Sequence, residues 1–107
     1  MEFKGSIKIS QDIVTNIIGI TVSEIEGVNC IIGYSPNTLI NIKNKDNSGI
    51  VVDYNENSIV VTLSVILDKN YIITEVCEKI QTQVIEKVKT MTDLVINQVN
   101  IYVAGII

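Results

Sequence analysis

The stretch Ser58-Ile59-Val60-Val61-Thr62-Leu63-Ser64-Val65-Ile66-Leu67 decides how this chain folds. A β-strand points successive side chains to opposite faces, so Ile59, Val61, Leu63, Val65 and Leu67 share one face and Val60, Thr62, Ser64 and Ile66 the other. The first set is wholly aliphatic and reads as core. The second is half aliphatic and half small polar, the composition of a sheet face that is open in the isolated chain and suited to a partner. Just upstream, Ile50-Val51-Val52-Asp53-Tyr54 is a second β-rich run, and Asn55-Glu56-Asn57 between the two is turn chemistry, which predicts a hairpin.

Downstream the period changes from two to about 3.6. Ile73, Cys77, Ile80, Val84, Val88 and Met91 predict the buried stripe of a helix over 73–91, with Glu75, Glu78, Lys79, Thr82, Glu86 and Lys89 on its solvated side and Glu75–Lys79 as an i, i+4 pair. A final strand is expected over 96–103, with Val99, Ile101 and Val103 inward and Gln98, Asn100 and Tyr102 outward. A whole helix joins it to Leu67, so these two strands can run parallel.

Towards the amino terminus, Phe3, Ile7 and Ile9 suggest a short edge strand, and Ser10 offers an N-cap followed by Asp12 in the first turn. Ile13, Val14, Ile17, Ile18, Val22 and Ile25 then mark one helical face, which Gly27 terminates. Gly19 within that helix fits a close approach by a neighbouring segment. Residues 28–49 are irregular and rich in Asn, with a short helical turn expected from Pro36 to about Lys43, and read as a connection of the kind that carries specificity. The element order is thus β-α-β-β-α-β. It predicts an α+β two-layer sandwich in one domain over 1–107, with two helices on one face of a mainly antiparallel sheet and ferredoxin-like halves as the nearest common pattern.

The chemistry available is narrow. All eight basic residues are Lys, the formal net charge is −4, and there is no His. Lack of Arg removes the bidentate fork that phosphate recognition favours, and lack of His removes the commonest general base and metal ligand. Asp53-Tyr54-Asn55-Glu56-Asn57 matches the opening of a calcium loop, but Ser58 and Ser64 stand where that loop needs its Gly and its bidentate Glu. A hairpin turn is the better reading. Glu24 and Glu26 lie two apart and do not face each other on a helix. Neither a nucleophile elbow nor a phosphate-cradling glycine loop is present. The two cysteines, Cys30 and Cys77, form no CxxC pair and read as small buried hydrophobes of a reducing compartment. The first residues lack a signal-peptide pattern, and no apolar run reaches the ~20 residues needed to cross a bilayer. These observations predict no catalytic residues, no cofactor and no metal.

What remains is a surface. Val60, Thr62, Ser64 and Ile66, with Asn100 and Tyr102 of the last strand, are the candidate contact residues for a second copy or another protein. A rival reading is a small RNA-binding accessory domain using Lys43, Lys45, Lys87, Lys89 and Tyr102, against which the acidic, Arg-free composition argues.

Two blocks carry a resemblance to a known family. Gly5-Ser6-Ile7-Lys8-Ile9-Ser10, Ile13-Val14, Ile17 and Val22-Ser23-Glu24-Ile25-Glu26-Gly27-Val28 form the first. The second runs through Val61-Thr62-Leu63-Ser64-Val65, Ile73-Thr74-Glu75-Val76, Ile80-Gln81 and Val84, and closes with Met91-Thr92-Asp93-Leu94 and Val99-Asn100-Ile101-Tyr102-Val103-Ala104-Gly105-Ile106. Together they resemble the alkaline-shock, or envelope stress response, proteins of Gram-positive bacteria. Asp93 departs from the pattern, standing where the family usually carries Gly, and the 28–49 segment is shorter and richer in Asn. The resemblance implies a non-enzymatic cytoplasmic protein of envelope homeostasis or general stress. In some members it also implies self-association and recruitment to the inner face of the membrane by a membrane-anchored protein. It supplies no catalytic residues to carry over.

Overall fold

The computed structural model describes residues 5, 6, 8–34 and 49–107. In chain order the elements are α1 (Gln11–Ser23), β1 (Val28–Ile31), β2 (Ile50–Asn55), β3 (Ser58–Leu67), α2 (Ile73–Thr92) and β4 (Gln98–Ile106). The class is the expected α+β, two helices with a four-stranded, mainly antiparallel sheet, and the order follows the expected one roughly. Of the anticipated first strand, Phe3 and Ile7 lie outside the described residues and Ile9 is not in a strand. The turn from Pro36 to Lys43 also lies outside them. A strand stands instead at Val28–Ile31, within the segment expected to be a connection.

β3 is the centre of the sheet. β4 runs parallel along one edge, with Val60 opposite Gln98, Thr62 opposite Asn100 and Ser64 opposite Tyr102. The other edge is shared: β2 pairs antiparallel with residues 58–63 and β1 antiparallel with residues 65–67. The chain joining β2 to β3 turns at Glu56-Asn57, with Asn55 opposite Ser58. The parallel β3–β4 pair follows from the helix between them. Ferredoxin-like halves would need a second such unit, and the described sheet has one parallel pair.

The alternation along β3 does what its sequence implies. Val61, Leu63, Val65 and Leu67 are fully buried, whereas Val60, Thr62, Ser64 and Ile66 are only half-buried. The buried set forms one cluster with Val14, Ile17, Ile18 and Val22 of α1 and Val76, Ile80, Val84 and Val88 of α2. Both helices therefore cover the same side of the sheet.

Each helix shows why it starts and stops where it does. Ser10 holds an extended backbone, and its Oγ accepts the Asp12 N–H at 3.1 Å, satisfying a donor that the first turn leaves free. α1 ends earlier than expected, at Ser23, with Glu24 as its cap donating its N–H to the Ile20 carbonyl at 3.2 Å; Gly27, expected to stop the helix, instead adopts φ +96 in the turn into β1, where a Cβ would press on Val76 and Tyr71. At the end of α2, Asp93 takes a left-handed conformation, φ 64 and ψ 10, that glycine adopts freely. Its N–H donates to the Lys89 carbonyl at 2.9 Å, and its carboxylate accepts from Lys89 Nζ at 2.7 Å.

Packing corrects several expectations. The α2 stripe is Val76, Ile80, Val84 and Val88, spaced by four, with Ile73 and Met91 exposed at the two ends and Cys77 only partly buried. On α1, Ile13 is half-exposed because the buried face is centred on Val14, Ile18 and Val22. Cys30 is exposed, not buried, because it lies on the side of β1 away from the helices. The ion pair found along α2 is Lys89–Asp93 rather than Glu75–Lys79. Gly19 does receive a close neighbour: the Tyr34 ring lies where its Cβ would stand.

A candidate interaction face

The side of the sheet opposite the helices is open among the described residues. Residues directly opposite each other on paired strands project to the same face, so the register assembles this surface row by row. Cys30 lies beside Ile66, then comes Ser64 beside Tyr102, then Val51, Thr62 and Asn100 in line, and finally Asp53, Val60 and Gln98. All six residues singled out from sequence, Val60, Thr62, Ser64, Ile66, Asn100 and Tyr102, fall within it. The first four are half-buried by neighbouring strands, while Asn100 is exposed and Tyr102 is 65 % exposed.

Sequence alone does not point to the contribution of the other edge. Val51 is 48 % exposed beside Thr62, and Cys30 is exposed beside Ile66. The available signal for Val51 is its alternation with the inward Ile50 and Val52. For Cys30 it is the aliphatic run around it, which a shift in register between Val28 and Cys30 breaks up.

The chemistry of this face is contact chemistry. Its centre is aliphatic and hydroxyl-bearing, its β4 border is amide and phenol, and Asp53 at one corner is the carboxylate. Gln98 Nε2 donates to Asn100 Oδ1 at 2.8 Å, which ties two of the border side chains together. Elsewhere, burial pushes the Cys77 thiol and the Tyr34 and Tyr54 phenols up, away from neutral pH. That direction is opposite to what activates a nucleophile. No group of three or more candidate metal ligands occurs among the described residues. A hollow between the helices, lined by Thr21, Glu24, Gln83, Glu86, Lys87 and Thr90, is polar and shallow.

The lysines of the RNA-binding reading do not gather here. Lys43 and Lys45 lie outside the described residues, and Lys87 and Lys89 are on α2, across the sheet from Tyr102.

The whole of residues 1–107 matches the model of the alkaline-shock protein family, whose description is a cell envelope-related function. The chain belongs to the alkaline-shock protein family. This is the family that the two sequence blocks resemble, and membership makes the function cell envelope-related. Among curated proteins, the chain is similar to "Uncharacterized protein YqhY" of Bacillus subtilis (strain 168), 27 % identical over 104 residues that span 95 % of this chain and 77 % of that protein. No solved structure matches it significantly. This alkaline-shock family member has, among the described residues, no helix long and apolar enough to cross a membrane.

Proposed function

We propose that this chain is a non-enzymatic, single-domain scaffold of the cell envelope and of general stress, which presents its open sheet face to a protein partner at the inner side of the membrane. The partner that fits best is membrane-anchored, since the chain's own described helices cannot span a bilayer. The observation that carries the reading is the contrast across β3. Val61, Leu63, Val65 and Leu67 are sealed under the helices, whereas Val60, Thr62, Ser64 and Ile66 form an uncharged strip with half its side chains aliphatic and no described cover. Such a strip gains from being dried by a partner and has nothing to contribute to bond-making. Envelope-related family membership supplies the setting.

Photo-crosslinking from two positions tests this reading. A crosslinking residue at Val51, on the face, should capture a membrane protein in cells of the native host, whereas one at Glu78, on the solvated side of α2, should not. Equal capture from both positions, or capture from Glu78 alone, would rule out the open face as the docking surface.

A further inference from the structure

Strand β4 is the outer strand of the parallel pair, and the register shows which backbone groups it turns away from the sheet. Along a strand, the N–H and C=O of one residue point to one side and those of the next residue to the other. Ser64 turns both towards the β1/β2 edge, giving its N–H to the Gly49 carbonyl and accepting from Ile32, so Leu63 and Val65 turn theirs towards β4. In a parallel pair such a residue bonds to the two that flank the one opposite it, which for Leu63 are Asn100 and Tyr102 on either side of Ile101. Val99, Ile101 and Val103 therefore direct their N–H and C=O groups outward. Gln81 confirms the direction, since its Nε2 reaches the Val99 carbonyl from α2 at 3.1 Å.

Gln81 also shows what this side of β4 accepts. Its carboxamide is chemically a peptide group, and it stands where an added strand would bring an N–H to Val99. Beyond it, the outward groups of Ile101 and Val103 meet no neighbouring strand among the described residues, where β4 pairs with β3 alone. On α2, Cys77 and Ile85 lie four residues to either side of Gln81, so the three share one flank of the helix, beside β4. Cys77, Ile85, Ile101 and Val103 are each only partly buried against the core. Sheet edges are normally blunted by charge, proline, bulges or cover. Gln98–Ile106 contains no charged residue and no proline, and its register stays regular from Gln98 to Val103.

We infer that the outer side of β4 takes an extended, uncharged segment of another protein, which adds as a strand beside Ile101 and Val103 and lays alternate aliphatic side chains against Cys77 and Ile85. Main-chain hydrogen bonds to Ile101 and Val103 supply affinity, and the α2 flank supplies selection for aliphatic residues. The segment's other side chains stand on the opposite face, beside the exposed Asn100 and Tyr102, where small polar groups such as Thr fit. Gln81 closes the site at its Val99 end. The inference is independent of docking through the open face: it concerns backbone groups at an edge, and the two surfaces fail or stand separately.

The test is amide hydrogen exchange followed by NMR on the full chain, alone and with an acetylated, amidated pentapeptide of alternating Thr and Val as the probe. In the chain alone, the Ile101 and Val103 amides should exchange faster than those of Asn100 and Tyr102 at every chain concentration. With the probe at about ten times its dissociation constant, Ile101 and Val103 should slow about tenfold, since exchange then proceeds from the unbound fraction. The same peptide methylated on every backbone nitrogen should protect neither. Ile85→Lys should weaken the effect of the probe, while Val51→Glu, on the open face, should leave it unchanged. If Ile85→Lys fails to fold, the methylated peptide decides. Slow exchange at Ile101 and Val103 in the chain alone would overturn the proposal, because the edge would then be covered by the chain itself or, where protection grows with concentration, by a second copy. So would a probe that protects neither amide, equal protection by the methylated peptide, or an effect lost in Val51→Glu but kept in Ile85→Lys. The last result would move the peptide to the open face, whereas failure of the edge alone leaves the open-face reading, tested from Val51 and Glu78, standing.

Discussion

Gly49 donates its backbone N–H to the carbonyl of Ile32 at 2.6 Å, and the two residues together stand opposite Ser64. Ile32 gives its own N–H to the Ser64 carbonyl at 3.0 Å, while Ser64 gives its N–H to the Gly49 carbonyl at 2.8 Å. One residue of β3 thus holds both ends of the chain that leaves the sheet after β1 and returns at β2. The consequence is that β1 and β2 act as one edge and the open face continues across the seam.

Gly49 is required there by backbone, not by side chains. A Cβ would come within 2.6 Å of the Ile32 carbonyl oxygen and 2.8 Å of that of Ser64, neither of which can swing away. Gly49→Ala should destabilise the fold by about 1–3 kcal/mol, within the usual range for forced overpacking. Urea unfolding of both chains, compared at equal m-value, measures it.

The two faces of β3 should respond differently to truncation. Leu63 is fully buried, so Leu63→Ala should cost about 2–5 kcal/mol through lost burial and the cavity left behind. Thr62 is half-buried on the open face, and Thr62→Ala should cost less than about 1 kcal/mol. The same denaturation experiment separates them.

The cysteines should differ in reactivity by access. Cys30 is exposed, while Cys77 is partly buried and its thiol is pushed up by burial. An alkylating reagent at neutral pH should label Cys30 first, with Cys77 following slowly, as mass spectrometry of timed samples would show. Cys77→Ala should leave the fast phase intact.

Asp93 links a backbone conformation to a charge. The hydrogen bond from Lys89, and next its positive charge, hold the Asp93 carboxyl below the ordinary value of 3.8. A depressed folded value means that this contribution is present above the unfolded value and fades as pH falls through the folded one. Lys89→Met should move the Asp93 carboxyl upward in an NMR titration. Asp93→Gly relieves the left-handed backbone and loses only an exposed ion pair, so the unfolding midpoint at neutral pH should rise, by about 2–4 °C on the usual scaling for a domain of this size.

What can be read from residues alone follows from how locally each signal is written. The strict alternation of β3, the hairpin turn and the Ser10 cap each concern neighbours in sequence, and each stands in the structure, with the turn narrowed to Glu56-Asn57 because Asn55 pairs with Ser58. β1 is hidden from such a reading because the shift between Val28 and Cys30 breaks its alternation and the strand is only four residues long. The α2 stripe keeps the expected Ile80, Val84 and Val88 but takes in Val76 rather than Ile73, Cys77 and Met91, which are apolar too. Which of them is buried depends on where the helix meets β4 and α1, a tertiary matter. The six residues of the open face are legible from strand parity, but their neighbours Cys30 and Val51 need the pairing of the other edge.

The most direct measurement of the scaffold function is the distribution of the chain between membrane and soluble fractions of its native host, for wild type against Val51→Glu. Val51 is exposed at the far edge from β4, so the substitution places a charge on the open face while sparing the core. Val51→Glu, folded and present at wild-type abundance, should leave the membrane fraction. An unchanged membrane share for that folded variant, and likewise for Ile66→Glu, would contradict docking through the open face.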